Sequence, residues 1–397
     1  MARRALTILL VAMAFASFTP SEAQTRFSLS GLVNPHYYAD SRSVVGGRED
    51  MMLFYPKPIV RDSLGHDINS GWQADMLAIT ARLGLRVSGP DLLDARTSAY
   101  LEGDFTGATN ATINNLRLRH AYIDMQWQHH RLLVGLYWYA MVVHEVMPMT
   151  NPLNMGAPFH PYARQPQVRY EYHLHTLEAV AVAQWQLDNA SQGLLDGETA
   201  TSTLFARHSL LPELNAQLRY RGERLFAGMA VNAKTVQPVV NTTSLASPHT
   251  LHTSFSYSLF ASLRLEGITL KAQTLLGNSL YEGCSLGGYM LLPTADSLDY
   301  KALDWHFNTL WLDLERNRGH WRPGLFLGYA HQVGDIPAAA IVLGRGAEMD
   351  YLWRIQPRLT YTTLDALSFT AEAEYTRAGY ATPVGNLRLS LSMVYTF

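Results

Sequence analysis

From Leu77 to Ser88 apolar and polar side chains take turns almost without error. Leu77, Ile79, Ala81, Leu83, Leu85 and Val87 fall on one face; Ala78, Thr80, Arg82, Gly84, Arg86 and Ser88 fall on the other. A period of two places successive side chains on opposite sides of a β-strand, so this segment has one apolar face and one wet face. The pattern returns at the C-terminus, with Leu387, Leu389, Leu391, Met393, Tyr395 and Phe397 opposite Asn386, Arg388, Ser390, Ser392, Val394 and Thr396. It also holds through 212–221, 254–265, 349–361 and 367–376. Such strands run to ~10 residues, whereas strands of soluble sheets average ~5–6. Ten residues tilted by ~45° cross a bilayer. Beyond the N-terminal segment, no stretch approaches the ~18 apolar residues that a membrane-spanning helix needs. The chain is therefore either soluble or crosses a membrane as a closed barrel.

The full set of comparable segments is 27–36, 77–88, 96–105, 115–127, 131–138, 166–174, 177–185, 212–221, 224–233, 253–265, 268–276, 303–314, 321–330, 349–361, 367–375 and 385–397. Sixteen is an even number, as single-chain bacterial barrels require. Between Arg119 and Ala121 the polar phase slips by one residue, which predicts a β-bulge. Connections after even-numbered segments are short, such as 128–130, 175–176 and 222–223. Those after odd-numbered segments are mostly long, such as 139–165 and 277–302. Short turns at one end and long loops at the other are the habit of outer-membrane barrels. Trp127, Trp138, Trp185, Tyr220, Tyr329, Tyr361, Tyr375, Tyr395 and Phe397 fall near predicted strand ends on the apolar face, where interfacial aromatic girdles sit. These features predict an all-β, transmembrane antiparallel barrel.

The N-terminus supplies the compartment. Arg3 and Arg4 precede an apolar stretch from Ala5 to Phe18, and Ser21-Glu22-Ala23 offers a small-x-small site. That predicts a secretory signal peptide over 1–23, cleaved on export, followed by one barrel domain over 24–397. A single cysteine, Cys284, excludes a disulfide framework and Cys-based metal clusters. The formal net charge of −2 argues against a nucleic-acid partner.

The runs LAITARLGLRVSGP (Leu77–Pro90), TSAYLEGDF (Thr97–Phe105), NNLRLRHAYID (Asn114–Asp124) and LVGLYW (Leu133–Trp138) resemble the DcaP-like porins of Gram-negative outer membranes. This family is distantly akin to the phosphate-selective porins, and the likeness is strongest to Bacteroidota-type members. It covers these runs specifically and the rest of the chain only as barrel pattern. The resemblance implies a sixteen-stranded, usually trimeric barrel that passes small hydrophilic solutes, often anions. Tyr395 and terminal Phe397 likewise resemble the C-terminal signal read by the outer-membrane assembly machinery.

In such a barrel the polar strand faces line the channel. The candidate pore-lining residues are Arg82, Arg86, Glu102, Asp104, Arg117, Arg119 and Arg169, joined by Glu145 and Arg164 from the loop Tyr139–Gln165. Basic residues outnumber acidic ones on these faces although the whole chain is slightly acidic, which predicts a mild anion preference. The competing expectation is that the charges only hydrate the wall and pair across strands, as Arg86 or Arg117 could with Glu102. By the porin resemblance, the third long loop, Tyr139–Gln165, folds into the channel and sets Glu145 opposite the arginines. Glu171, His173 and His175 have a spacing compatible with a metal, but a third ligand is not assured, and neither a metal nor a cofactor is expected. No nucleophile elbow or HExxH motif points to an enzyme. A barrel lipase and a loop-blocked structural or adhesive barrel remain the alternatives.

Overall fold

The computed structural model describes residues 25–151, 155–187, 189–242, 250–277, 279–294, 300–364 and 366–397. The predicted signal peptide lies outside the described residues. Sixteen antiparallel strands form one closed barrel. They are β1 (Arg26–Val33 continued by His36–Arg42), β2 (Ser70–Leu77 continued by Arg82–Ser88), β3 (Arg96–Asp104), β4 (Arg117–Gln126), β5 (His130–Trp138), β6 (Arg164–Leu174), β7 (Leu177–Gln184) and β8 (Glu213–Arg221). There follow β9 (Leu225–Val236), β10 (His252–Arg264), β11 (Ile268–Gly277), β12 (Tyr300–Arg316), β13 (Trp321–Val333), β14 (Tyr351–Leu364), β15 (Leu367–Ala378) and β16 (Val384–Thr396). Each strand pairs with its sequence neighbours. The barrel closes where β1 meets β16, with Leu32 opposite Thr396 and His36 opposite Ser392.

Each of the sixteen predicted segments overlaps one of these strands. The slip near Arg119 is a bulge: Glu102 faces His120 and Gly103 faces Leu118, leaving Arg119 as the extra residue. The first two strands are longer than their alternation suggested. Pro35 interrupts β1 and residues 78–81 interrupt β2, and beyond each break the pairing resumes.

Burial along the strands is inverted relative to a soluble protein. On β8, Asn215 is 4% exposed and Gln217 5%, whereas Leu214 and Leu218 on either side of them are 54% and 51% exposed. The interior is polar and the exterior apolar, as a lipid-facing wall demands. Leu259 sits midway along β10 on this outer face, half exposed among Tyr257 and Ala261. Leu259→Arg is expected to lower folding stability in phosphatidylcholine vesicles by ~2–4 kcal/mol, the depth-dependent cost of a midplane cation. Urea-dependent refolding checks this, and an unmoved midpoint would mean that the face meets water.

Most of the girdle aromatics sit as expected, with Trp185, Tyr220, Tyr329, Tyr395 and Phe397 exposed on the outer face. Trp138 does not. It is 9% exposed and lies inside, with the guanidinium groups of Arg119 and Arg164 over its ring at 5.8 and 5.0 Å. Gly135, two residues into the second half of β5, has φ +135°, and the strand is irregular there. An alternation extrapolated across that point puts the following side chains on the wrong face.

The long loops build structure of their own. In the first, Val44–Gly47 pairs with Met52–Pro56. An arm over 57–69 then projects outward, held by Arg42, which donates to Asp67 at 2.6 Å and to the Lys57 and Pro58 carbonyls. The arm and the start of β2 leave Val60, Leu64, Ile68 and Trp72 exposed. Over another sector, Leu194, Phe205, Val240, Tyr289, Leu291 and Leu343 from four loops form a small apolar cluster above the barrel.

Candidate pore constriction

A wall of sixteen strands ~4.8 Å apart and tilted by ~40° encloses a barrel about 30 Å across, too wide for wall side chains alone to fill. The described parts of the third long loop, 139–151 and 155–163, occupy much of that space. Tyr139, Met141, Val143, Val146, Ala157, Phe159 and His160 are almost wholly buried. Wall groups pin the loop nearly all the way round. Gln217 of β8 donates to the Ala140 carbonyl at 2.6 Å, and Lys271 of β11 to the Met147 carbonyl at 2.8 Å. The Met149 amide donates to Asp313 of β12 at 2.7 Å, Arg354 of β14 to the Ala157 carbonyl at 2.7 Å, and the Asn151 amide to Glu372 of β15 at 3.0 Å. Phe159 packs on Phe326, which stacks on Trp311 at 5.8 Å. Tyr139 donates to Glu213 at 2.6 Å and to Glu282 at 3.3 Å, and Glu282 also pairs with Lys234 at 2.6 Å.

The sector of wall along β2–β6 carries the candidate site. Arg119 bridges Glu102 at 2.6 Å and Asp104 at 2.8 Å. Arg117 forks onto Asp104 through Nε at 3.1 Å and a terminal nitrogen at 2.9 Å, and Arg82 stands 3.8 Å from Glu102. The bulge aims Arg119 into the lumen alongside these. Arg164, 4% exposed, completes the group from the first position of β6. Its contacts are the ring of Trp138, the ring of Tyr162 at 5.2 Å and the Tyr162 hydroxyl at 3.4 Å; among the described residues no carboxylate is within ion-pair distance and its Nε has no hydrogen-bond partner. Three guanidinium groups thus share two carboxylates, and the fourth, Arg164, stands beside them on aromatic rings. Arg86 lies farther along β2 and stacks on Tyr100 at 4.9 Å, without reaching Glu102.

Two other predicted residues belong to a different part of the channel. Arg169 pairs with Glu171 at 2.5 Å. Glu145 does not face the arginines of β2–β4: it is bound by Arg221 of β8 at 2.6 Å, near the short-turn end. Burial opposes ionisation of Glu145, but the Arg221 hydrogen bond and the Arg219 charge hold its carboxyl below the usual range. The acids opposing the arginine group are Glu102 and Asp104, one strand away. Glu171 and His173 approach to 3.6 Å, yet among the described residues no cluster of three or more metal-binding side chains forms.

Cavities lie on both sides of this constriction. Toward the loop end, a space of about 150 Å³ is lined by Arg117, Arg164, Tyr162, Phe54 and Arg345. Toward the turn end, spaces of about 440 and 840 Å³ meet at His144, Glu145 and Arg221. Trp138 lines the first of these, and Arg164, packed on its ring, lines the loop-end space. Between these spaces the barrel interior is filled by Trp138, Arg164 and Tyr162. Sequence reasoning missed Trp138 and Tyr162; the local signal for Tyr162 was its place two residues before Arg164.

Burial alone would raise the Tyr162 hydroxyl, but Arg164, Arg119 and Arg117 surround it and push it down to about 7. One pH unit below that value the ring is neutral; one unit above, its phenolate cancels one cation of the group. Anion preference is expected to fall as pH rises across this window and to stay level in Tyr162→Phe. Reversal potentials on either side of the transition check this, and a fall that persists in the variant would clear Tyr162 of the effect.

No protein-family model and no curated protein sequence matches the chain. Solved structures do. The outer membrane channel DcaP of Acinetobacter baumannii superposes with a TM-score of 0.68 at 18% identity, over 96% of this chain and 99% of that one. In vitro folded OmpT, an outer membrane protein of Vibrio cholerae, gives 0.56 at 9% identity over 96% and 100%. Salmonella typhi OmpF, in complex with daunomycin, gives 0.54 at 11% identity over 94% and 97%. Over 96% of its length, the chain shares the fold of the outer-membrane channel DcaP.

Proposed function

We propose that the protein is an outer-membrane porin: a passive diffusion channel for small hydrophilic solutes, with a mild preference for anions. The observation that carries this is a closed barrel, apolar outside and charged inside, whose lumen holds an arginine group exceeding its carboxylates. Arg82, Arg117, Arg119 and Arg164 attract the anion, while Glu102 and Asp104 hold the guanidinium planes in place. Arg86 extends the basic wall, and Arg169 and Glu145 line the wider space beyond, where charges are more evenly paired.

Residues 1–23 direct export and are removed. The long loops face outward and the short turns the periplasm, and Tyr395 and Phe397 engage the assembly machinery. We place the protein in a homotrimer in which the arm over 57–69 contacts a second copy through Val60, Leu64 and Ile68. Replacing 60–66 by a Gly-Ser linker is expected to convert the oligomer to monomer on unheated gels without loss of heat modifiability; unchanged migration would remove the arm from the contact.

Reconstitution of the full chain in a planar bilayer under a KCl gradient tests the main reading. Discrete conductance steps with an anion-selective reversal potential are expected. A second reading, a barrel closed by its loops, draws on the many tethers of the third loop and on the Trp138–Arg164 packing. It predicts folded, heat-modifiable protein that passes no current. Hydrolysis of a generic ester would instead favour an enzyme.

A further inference from the structure

The outer face of the barrel is not uniform at its loop end. On β13 the outward row runs Leu325, Leu327, Tyr329 and then His331; on β15 it runs Ala371, Ala373, Tyr375 and then Arg377. On β12, Leu312 and Leu310 give way to Asn308 and His306. The registers set these endings side by side: Asn308 faces His331, His331 faces Tyr351, and Trp353 faces Arg377.

The local contacts order this patch. His331 stacks on Tyr329 at 6.0 Å, and Trp353 packs on Tyr375 at 5.3 Å. The Arg377 guanidinium lies between the hydroxyls of Tyr351 and Tyr375. No outward position of β13, β14 or β15 carries an acidic side chain; on β12 the next residue of the outward row beyond His306 is Asp304, which is engaged by His252 of β10 at 2.8 Å. On the neighbouring β16 the position opposite Arg377 is the uncharged Gly385, and Leu387 faces Tyr375. A cation set immediately above an aromatic belt sits at headgroup depth. The planar fork of an arginine matches phosphate in two hydrogen bonds.

We propose that this face, Arg377 with His331 and His306 above Tyr329, Trp353 and Tyr375, binds the phosphate of a phosphorylated lipid headgroup in the outer leaflet. The proposal rests on the orientation given above, with the long loops outside. The apolar row below takes the acyl chains, and the Arg377 guanidinium, with the His331 and His306 imidazoles beside it as hydrogen-bonding groups, takes the phosphate at headgroup depth. A second protein copy on this face would need carboxylates or an apolar surface opposite it.

The test uses the full chain refolded in detergent. Diphosphorylated lipid A, or the same lipid after phosphatase treatment, is added, and bound lipid is counted by native mass spectrometry. Wild type is expected to retain the diphosphorylated form and to hold the phosphatase-treated form about tenfold less well, the loss of one charge-assisted contact. Arg377→Gln with His331→Gln is expected to lose that discrimination while keeping heat modifiability and conductance, since neither residue faces the lumen. Equal retention of both lipids by wild type would overturn the proposal. So would discrimination that survives in the variant, or a variant that loses its oligomer band, which would make the face a subunit contact. Failure to insert into any bilayer would instead strike the porin reading itself.

Discussion

Replacing residues 144–156 by a three-residue Gly-Ser linker is expected to raise single-channel conductance about threefold or more, because a bare sixteen-stranded wall encloses an aqueous bore. The loop fills much of the interior that strands cannot account for, with Met51–Phe54 of the first loop and Leu280–Leu286 packed beside it. Its apolar side chains cover Trp311 and Phe326, and its backbone is held by Gln217, Lys271, Asp313, Arg354 and Glu372. Removing it does not strand those wall groups. Asp313 keeps Arg358 at 2.6 Å, Glu372 keeps Gln356 at 2.7 Å, and water reaches the remainder. The barrel should therefore fold and open wider. Conductance in planar bilayers, with heat modifiability as the folding control, decides the matter; an unchanged step size would show that the loop does not limit flow.

Arg164→Glu is expected to turn an anion-preferring channel into a cation-preferring one, shifting the permeability ratio about tenfold or more. The change is two unit charges beside the packed Trp138–Tyr162 group, and at an effective dielectric near ~20 it is worth ~3 kcal/mol to an ion ~10 Å away. Arg164 is the informative position because, among the described residues, no carboxylate is within ion-pair distance of it. Arg117→Glu would set a third carboxylate beside Asp104, which Arg117 now grips with two nitrogens, so its effect would mix selectivity with local disorder. Arg82→Glu acts at a more exposed group, 3.8 Å from Glu102, and should shift the ratio in the same direction but less. The reversal potential under a KCl gradient reads all three. An unmoved potential in Arg164→Glu would remove the arginine group from the selectivity mechanism.

The barrel was legible because lipid outside and water inside impose the same alternation on every strand, and turn lengths repeat that information independently. Where the backbone departs from a regular pleat, the pattern misleads. Gly135 separates the readable part of β5 from Trp138, and Pro35 hid the continuation of β1 through His36–Arg42. The arginines of β2–β4 could be placed on the lumen face by counting, but their partners could not. Arg119 reaches both Glu102 and Asp104 only because a bulge turns it inward. Glu145 was the hardest residue to place. A loop has no periodicity, and its contacts depend on where the chain turns inside the barrel; here it comes to rest against Arg221.

Fifteen of the sixteen strand pairings join neighbours along the chain, and only the seam between β1 and β16 brings distant segments together. There the Gly31 amide donates to the Phe397 carbonyl at 2.9 Å and the Phe397 amide returns a bond to Gly31 at 3.0 Å. Assembly thus divides into fifteen local steps and one global step, and the global step bears the entropy of closing a loop about as long as the barrel chain itself. Until it is taken, both terminal strands carry open edges capable of pairing with any other chain. Substitutions along this seam should act on the yield of finished barrels, and those within hairpins on their stability.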